Sequence, residues 1–176
     1  MNGYSTTCGS SNSAGLQEIK LVDVSEVSSV TFTGEAISAV TLTMSSTWES
    51  YDFEQDTAGW SETKVEGKKA IWNLSVEWMM RRMDESQRLA VEEMADCNCG
   101  IIAAVYDNNG IIWLVGGNLT DGGAPTQAHA LYLSGNEGGS GKDLEGDENE
   151  QSVVLAGKQP SKSRTYSGTW ASLATS

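Results

Sequence analysis

Residues 70–80 read Ala70-Ile71-Trp72-Asn73-Leu74-Ser75-Val76-Glu77-Trp78-Met79-Met80, with large apolar side chains at alternate positions. Ala70, Trp72, Leu74, Val76, Trp78 and Met80 form one series, and Ile71, Asn73, Ser75, Glu77, Met79 and Arg81 the other. Successive side chains of an extended chain point to opposite faces, so the pattern predicts one long strand with a core face. Just downstream, Asp84 offers a helix N-cap and Gln87 completes a capping-box-like pair. Leu89, Ala90, Val91, Met94 and Ala95 then make a narrow apolar stripe, leaving Glu85, Arg88, Glu92 and Glu93 for water. Two apolar runs, Ile101–Tyr106 and Ile111–Val115, flank Asp107-Asn108-Asn109-Gly110. Asn-Gly between β-branched runs predicts a tight hairpin, because both residues tolerate positive φ. The hairpin strands are apolar on both faces, so each face needs a cover, and the helix is a candidate for one.

Outward from this unit, Val27–Thr33 and Ile37–Met44 read as antiparallel strands linked through Gly34. Either alternating series of the second strand suits a buried face. Trp48, Tyr51 and Phe53 precede an acidic, turn-forming stretch, and Trp60–Val65 follows it. This predicts a long hairpin over 47–65 with a projecting tip, or an exposed loop whose aromatics turn inward. Ala128–Leu133 and Ser152–Leu155 read as further strands. Residues 1–15 are expected to form a flexible N-terminal arm, 135–150 a flexible loop, and 161–176 a C-terminal arm with Tyr166 and Trp170 as anchors for a last strand. The fold class expected is mainly β: an antiparallel β-sandwich or barrel with one flanking helix at about 84–96, long loops, and a single domain over 16–160.

A chain of 176 residues holds one ordinary domain core. Its formal net charge of −13 repels nucleic-acid phosphates and anionic membranes. Such a surface suits DNA that must slide past without sticking. Glycine is abundant (19) and proline scarce (2), as a turn-rich β fold requires. No run approaches the roughly 20 apolar residues of a membrane-spanning helix. Met1–Thr7 has no basic or apolar segment of a secretory signal. Three cysteines, Cys8, Cys97 and Cys99, make no disulfide framework. A soluble protein of a reducing cytoplasm is the expectation.

No catalytic constellation emerges. The single histidine, His129, has no G-x-S-x-G elbow to serve. Gly138–Asp143 fails as a phosphate loop, because Asn136 stands where a glycine is needed and Asp143 follows Lys142. The acidic run 143–150 lacks the ligand order of an EF-hand and offers casual divalent binding at most. A zinc site at Cys97 and Cys99 would need Cys8 and His129 from distant segments. Carboxylate pairs such as Glu49 and Glu54, or Glu62 and Glu77, are too numerous to single out one. Of six tryptophans, Trp72, Trp78 and Trp113 belong to core patterns, which leaves Trp48, Trp60 and Trp170 for interaction surfaces. The expectation is no enzyme, no cofactor and no metal.

The order of elements resembles bacteriophage tail tube (major tail) proteins, most nearly those of phages infecting Bacteroidota-type hosts. The residues that carry the resemblance are Trp48-Glu49-Ser50-Tyr51-Asp52-Phe53-Glu54-Gln55-Asp56-Thr57-Ala58-Gly59-Trp60, then the long strand and helix, Cys99–Val105, the hairpin, Gly141–Asp147 and Val153–Gly157. It spans roughly residues 19–160, as a diffuse pattern with no diagnostic motif. The resemblance implies hexameric rings that stack into a tube, bridged by long hairpins and terminal arms. It makes Trp48, Tyr51, Phe53, Asp56, Trp60 and Trp170 candidate inter-subunit contacts. It also implies partners: copies of this chain, other phage tail proteins, and DNA as non-sticking cargo, with no membrane. The location implied is the virion tail, assembled in the bacterial host cytoplasm. Apolar surplus on the hairpin strands would belong to the subunit interface. Two readings stand beside it: a carbohydrate-binding β-sandwich using Trp48, Trp60 and Trp170, and another virion protein such as a decoration or head–tail connector subunit.

Overall fold

The computed structural model describes residues 13–54, 56–67, 70–81, 84–139 and 150–173. The expected N-terminal arm, apart from 13–15, and segment 140–149 of the expected loop lie outside them. In chain order the strands are β1 (Leu16–Asp23), β2 (Val27–Thr33), β3 (Ala36–Leu42), β4 (Glu49–Tyr51), β5 (Gly59–Lys64) and β6 (Trp72–Arg81). Helix α1 (Glu85–Asp96) follows, then β7 (Ile101–Asp107), β8 (Ile112–Val115), β9 (Tyr132–Gly139), β10 (Glu150–Gln159) and β11 (Arg164–Tyr166). They form a seven-stranded sheet, β2-β3-β11-β8-β7-β1-β4, and a four-stranded sheet, β5-β6-β10-β9. The fold is a mainly β sandwich with one helix, and neither sheet closes into a barrel.

The core-face series of β6 behaves as its alternation requires: Leu74, Val76, Trp78 and Met80 are buried. They meet Val153 and Leu155 of β10 and, across the sandwich, Ile19, Leu21, Ala103 and Val105 of the larger sheet. Asp84 caps α1 by accepting from the Gln87 amide at 2.9 Å. Only Val91 and Met94 of the apolar stripe are buried, and Leu89 is 46% exposed. The helix thus contributes two side chains to the core, while the four-stranded sheet covers the hairpin face.

The second face of β7 and β8 is covered by the same sheet folding back. A single 3-10 turn, Val24–Glu26, joins β1 to β2, a span of at most about 15 Å. These strands stand five places apart in the sheet order, about 24 Å if the sheet were flat. The sheet must therefore curl, and its concave side encloses Val22, Val30, Ile37, Trp48, Ile102, Leu114, Tyr166 and Leu173. Both apolar faces of the hairpin are satisfied inside one chain, so they do not call for a subunit interface.

Bulges assist this curvature. Val27 pairs with Leu42 and Ser29 with Thr41, while Thr31 pairs with Ala39 and Phe32 with Ile37, leaving Ser28 and Ser38 as extra residues. That resolves the face of β3: the bulge brings Ile37, Val40 and Leu42 onto one side despite their broken alternation.

Three expectations are corrected. Segment 47–65 is no hairpin: β4 pairs with β1 in the larger sheet and β5 with β6 in the smaller. The chain crosses between sheets here, with Ala58 buried. Residues 135–139 belong to β9, and β9 starts at Tyr132, because Gln127–His129 form a 3-10 turn. Gly157 of β10 explains the close approach of this turn, since the Ala130 carbonyl fills the space a Cβ would need. Finally, 161–173 is no arm. Strand β11 lies between β3, in parallel, and β8, antiparallel, and Tyr166 and Leu173 are buried. Deleting residues 160–176 should lower the unfolding free energy by roughly 3–6 kcal/mol from the lost apolar burial alone. Urea denaturation measures this, and removal of a loose arm would leave the midpoint unchanged.

Candidate functional surface

The aromatic candidates are placed by their own chain and do not converge. Trp48 is largely buried in the concave core. Tyr51, at the end of β4, lies 6.0 Å from Trp78, and Phe53 packs on the same core. Trp60 of β5 tilts against Trp113 of β8 at 5.0 Å. Trp170 stacks on Tyr106 at 5.7 Å and donates its indole N–H to Glu18 at 2.6 Å. The buried Lys20 sits 4.5 Å over the same ring and donates to the Trp170 carbonyl. Asp56 alone is fully on the surface, with φ +64°. His129 has Nδ1 3.1 Å from the Lys158 carbonyl, and no base–nucleophile pair includes it among the described residues.

Between β4 and α1 runs a groove of about 190 Å³ with an apolar floor of Leu21, Met94 and Ile101 and a rim of Asp23, Glu26, Glu49 and Glu93. The Cys97 thiol, at the helix end, donates to Asp23 at 3.0 Å. Burial and this carboxylate push the thiol up to about 11. For Asp23, burial acts to raise the carboxyl, but the Cys97 and Ser25 hydrogen bonds outweigh it and leave it lowered. Burial, then the charges of Glu49 and Glu93, push Tyr51 up to about 12. The groove thus holds a neutral thiol and a neutral phenol, with no thiolate nucleophile. Among the described residues no cluster suited to a metal ion occurs.

The surface left open by the fold is the outer face of the four-stranded sheet. Strand β6 presents Asn73, Ser75, Glu77 and Met79 there, opposite its buried series. The register aligns Ser61 and Thr63 of β5 with Ser75 and Asn73, and Ser152, Val154, Ala156 and Lys158 of β10 with Met79, Glu77, Ser75 and Asn73. On β9, Tyr132, Gly135 and Glu137 continue the face. Small side chains predominate, interrupted by Met79, Val154 and the part-exposed ring of Tyr132, with carboxylates at Glu77, Glu137 and Glu150 and Lys158 near one end. The signal for it was the polar half of the β6 alternation, which a search for aromatic anchors passes over. Both border strands, β5 and β9, have no strand on their outer edge among the described residues.

Comparison with protein-family models, curated proteins and solved structures returns no match to this chain. No helix among the described residues is long and apolar enough to cross a membrane.

The raised Tyr51 and Cys97 give a sign to the alkaline limb of stability. Each folded-state value exceeds its ordinary one, 10.0 for the phenol and 9.0 for the thiol. Their contribution is therefore complete below about 9 and is lost as pH rises through about 11 to 12. Urea midpoints should fall over that window, and Tyr51→Phe should flatten the fall. An identical slope in Tyr51→Phe would show that the phenol takes no part.

Proposed function

We propose that this chain is a virion structural protein whose copies associate into rings that stack as a phage tail tube, with DNA passing through the lumen. The observation that carries this reading is the outer face of the four-stranded sheet. It is lined mostly by small and polar side chains, it displays carboxylates, and the strands that border it have no strand beyond them among the described residues. Carboxylates spaced among Ser, Thr, Ala and Gly repel phosphate. Open edges invite strand pairing with a further copy, which would carry the same face around a ring. In this reading β5 of one copy lies beside β9 of the next, and the chain's net charge of −13 serves the same repulsion. Copies of this chain and other tail proteins are its partners, and the tail assembled in a host cytoplasm is its place. A glycan-binding reading draws no similar support, since Trp48, Trp60 and Trp170 are packed on their own chain.

Concentrating the purified protein should yield rings of uniform diameter or hollow tubes in negative-stain electron microscopy. A protein that remains strictly monomeric at high concentration argues against the reading. Glu77→Lys combined with Glu137→Lys should leave assembly intact and make the tubes retain double-stranded DNA at low salt, where the native tubes retain none. Equal DNA retention by both would remove the lumen assignment.

A further inference from the structure

We propose that Asn109 is a site of spontaneous deamidation, and that its conversion loosens the chain around Ser13. Two Asn-Gly pairs occur in the sequence, Asn2-Gly3 and Asn109-Gly110. The second lies at the exposed tip of the β7–β8 hairpin, with Gly110 at φ +80°. A glycine after asparagine leaves its amide nitrogen unshielded by any Cβ. That nitrogen attacks the Asn109 side-chain carbonyl carbon, ammonia leaves, and a five-membered succinimide closes. Water then opens the ring at either carbonyl and gives aspartate or isoaspartate. No oxidant, metal or enzyme is needed.

What sets Asn109 apart is the use of its side-chain amide. Oδ1 accepts from the Ser13 amide at 2.9 Å, and Nδ2 donates to the Ser13 carbonyl at 3.0 Å. This two-point clamp fastens the chain just before β1 to the hairpin tip. Asn108 adds its own bonds, from Nδ2 to the Ala14 carbonyl at 2.5 Å and from its amide to the Gly15 carbonyl at 3.2 Å. Conversion of Asn109 replaces the Nδ2 donor by a carboxylate oxygen, which then faces the Ser13 carbonyl, acceptor against acceptor. The isoaspartate product also lengthens the backbone by one carbon inside the turn. The Asp107–Ile111 closure, with an amide–carbonyl bond of 2.9 Å, does not tolerate that addition.

The same turn restrains the reaction. Gly110 donates to the Asp107 carbonyl at 3.0 Å, and the Asp107 carboxylate accepts from the amides of Asn109 and Ile111. The glycine nitrogen becomes available only when the turn opens. The device is a slow clock whose rate follows local opening of the hairpin tip.

The test is to age the full chain in mildly alkaline buffer and map its peptides by mass spectrometry with isoaspartate detection. Asn109 should convert ahead of Asn73, Asn118 and Asn136, which precede residues with side chains. In the aged fraction, amide hydrogen exchange at Ala14–Leu16 should rise about fivefold, the loss of roughly one hydrogen bond. Asn109→Asp should show the faster exchange without ageing, and Asn109→Gln, which closes no five-membered ring, should stay unmodified. The proposal is overturned if Asn109 keeps its amide while Asn118 converts. It is equally overturned if aged protein and Asn109→Asp exchange at the rate of fresh protein.

Discussion

A strand buried on both faces has to be covered twice, and β7 imposes that demand on the whole molecule. Ile101, Ala103 and Val105 look into the sandwich while Ile102 and Ala104 look the other way, and all five are buried. One cover is the four-stranded sheet. The other is the far half of the strand's own sheet, brought over by the short link between β1 and β2. The curl, the bulges at Ser28 and Ser38, and the seating of Trp48, Tyr166 and Leu173 all follow from that second cover. Burial of this kind is the dominant favourable term in folding, and here it is arranged around a few alternating residues.

How much of this was legible in the sequence depended on whether the signal was local. The β6 alternation, the Asp84 cap and the Asn-Gly hairpin are short-range and were readable in place. Strands β4 and β5 were readable as extended segments, but their partners β1 and β6 lie elsewhere in the chain. Proximity along the sequence therefore suggested a hairpin that does not form. Bulges hide faces: one extra residue at Ser38 reverses the parity on which the argument rests. Strand β11 has three residues and no apolar pattern of its own, so it read as an arm. Aromatic residues were poor guides to a surface, because most of an aromatic ring's free energy comes from being covered.

The candidate surface was legible only as a remainder. Asn73, Ser75 and Glu77 are what a buried strand shows to the outside, and nothing in one strand says that three neighbours extend them into a continuous face. The register of β5, β9 and β10 supplies that, through pairings of long sequence separation. Electrostatics adds little to the fold itself. The ion pairs Arg88–Glu85, Arg88–Glu92 and Arg164–Glu35 are exposed, and such pairs stabilise weakly. The surplus of carboxylates governs what the surface repels.

The position of β11 also fixes an order of events during synthesis. The larger sheet has its penultimate pairing partner, β8, complete at Val115, yet the strand that joins β8 to β3 ends at Tyr166. A chain emerging from the ribosome therefore carries two partial sheets, β2-β3 and β8-β7-β1-β4, whose facing edges stay unpaired until Tyr166 has been made and released. Closure is a late, long-range step of the slow kind that non-local topology imposes. A nascent or truncated chain exposes two complementary edges of the same sheet at once, which is the state most prone to capture by a neighbouring copy.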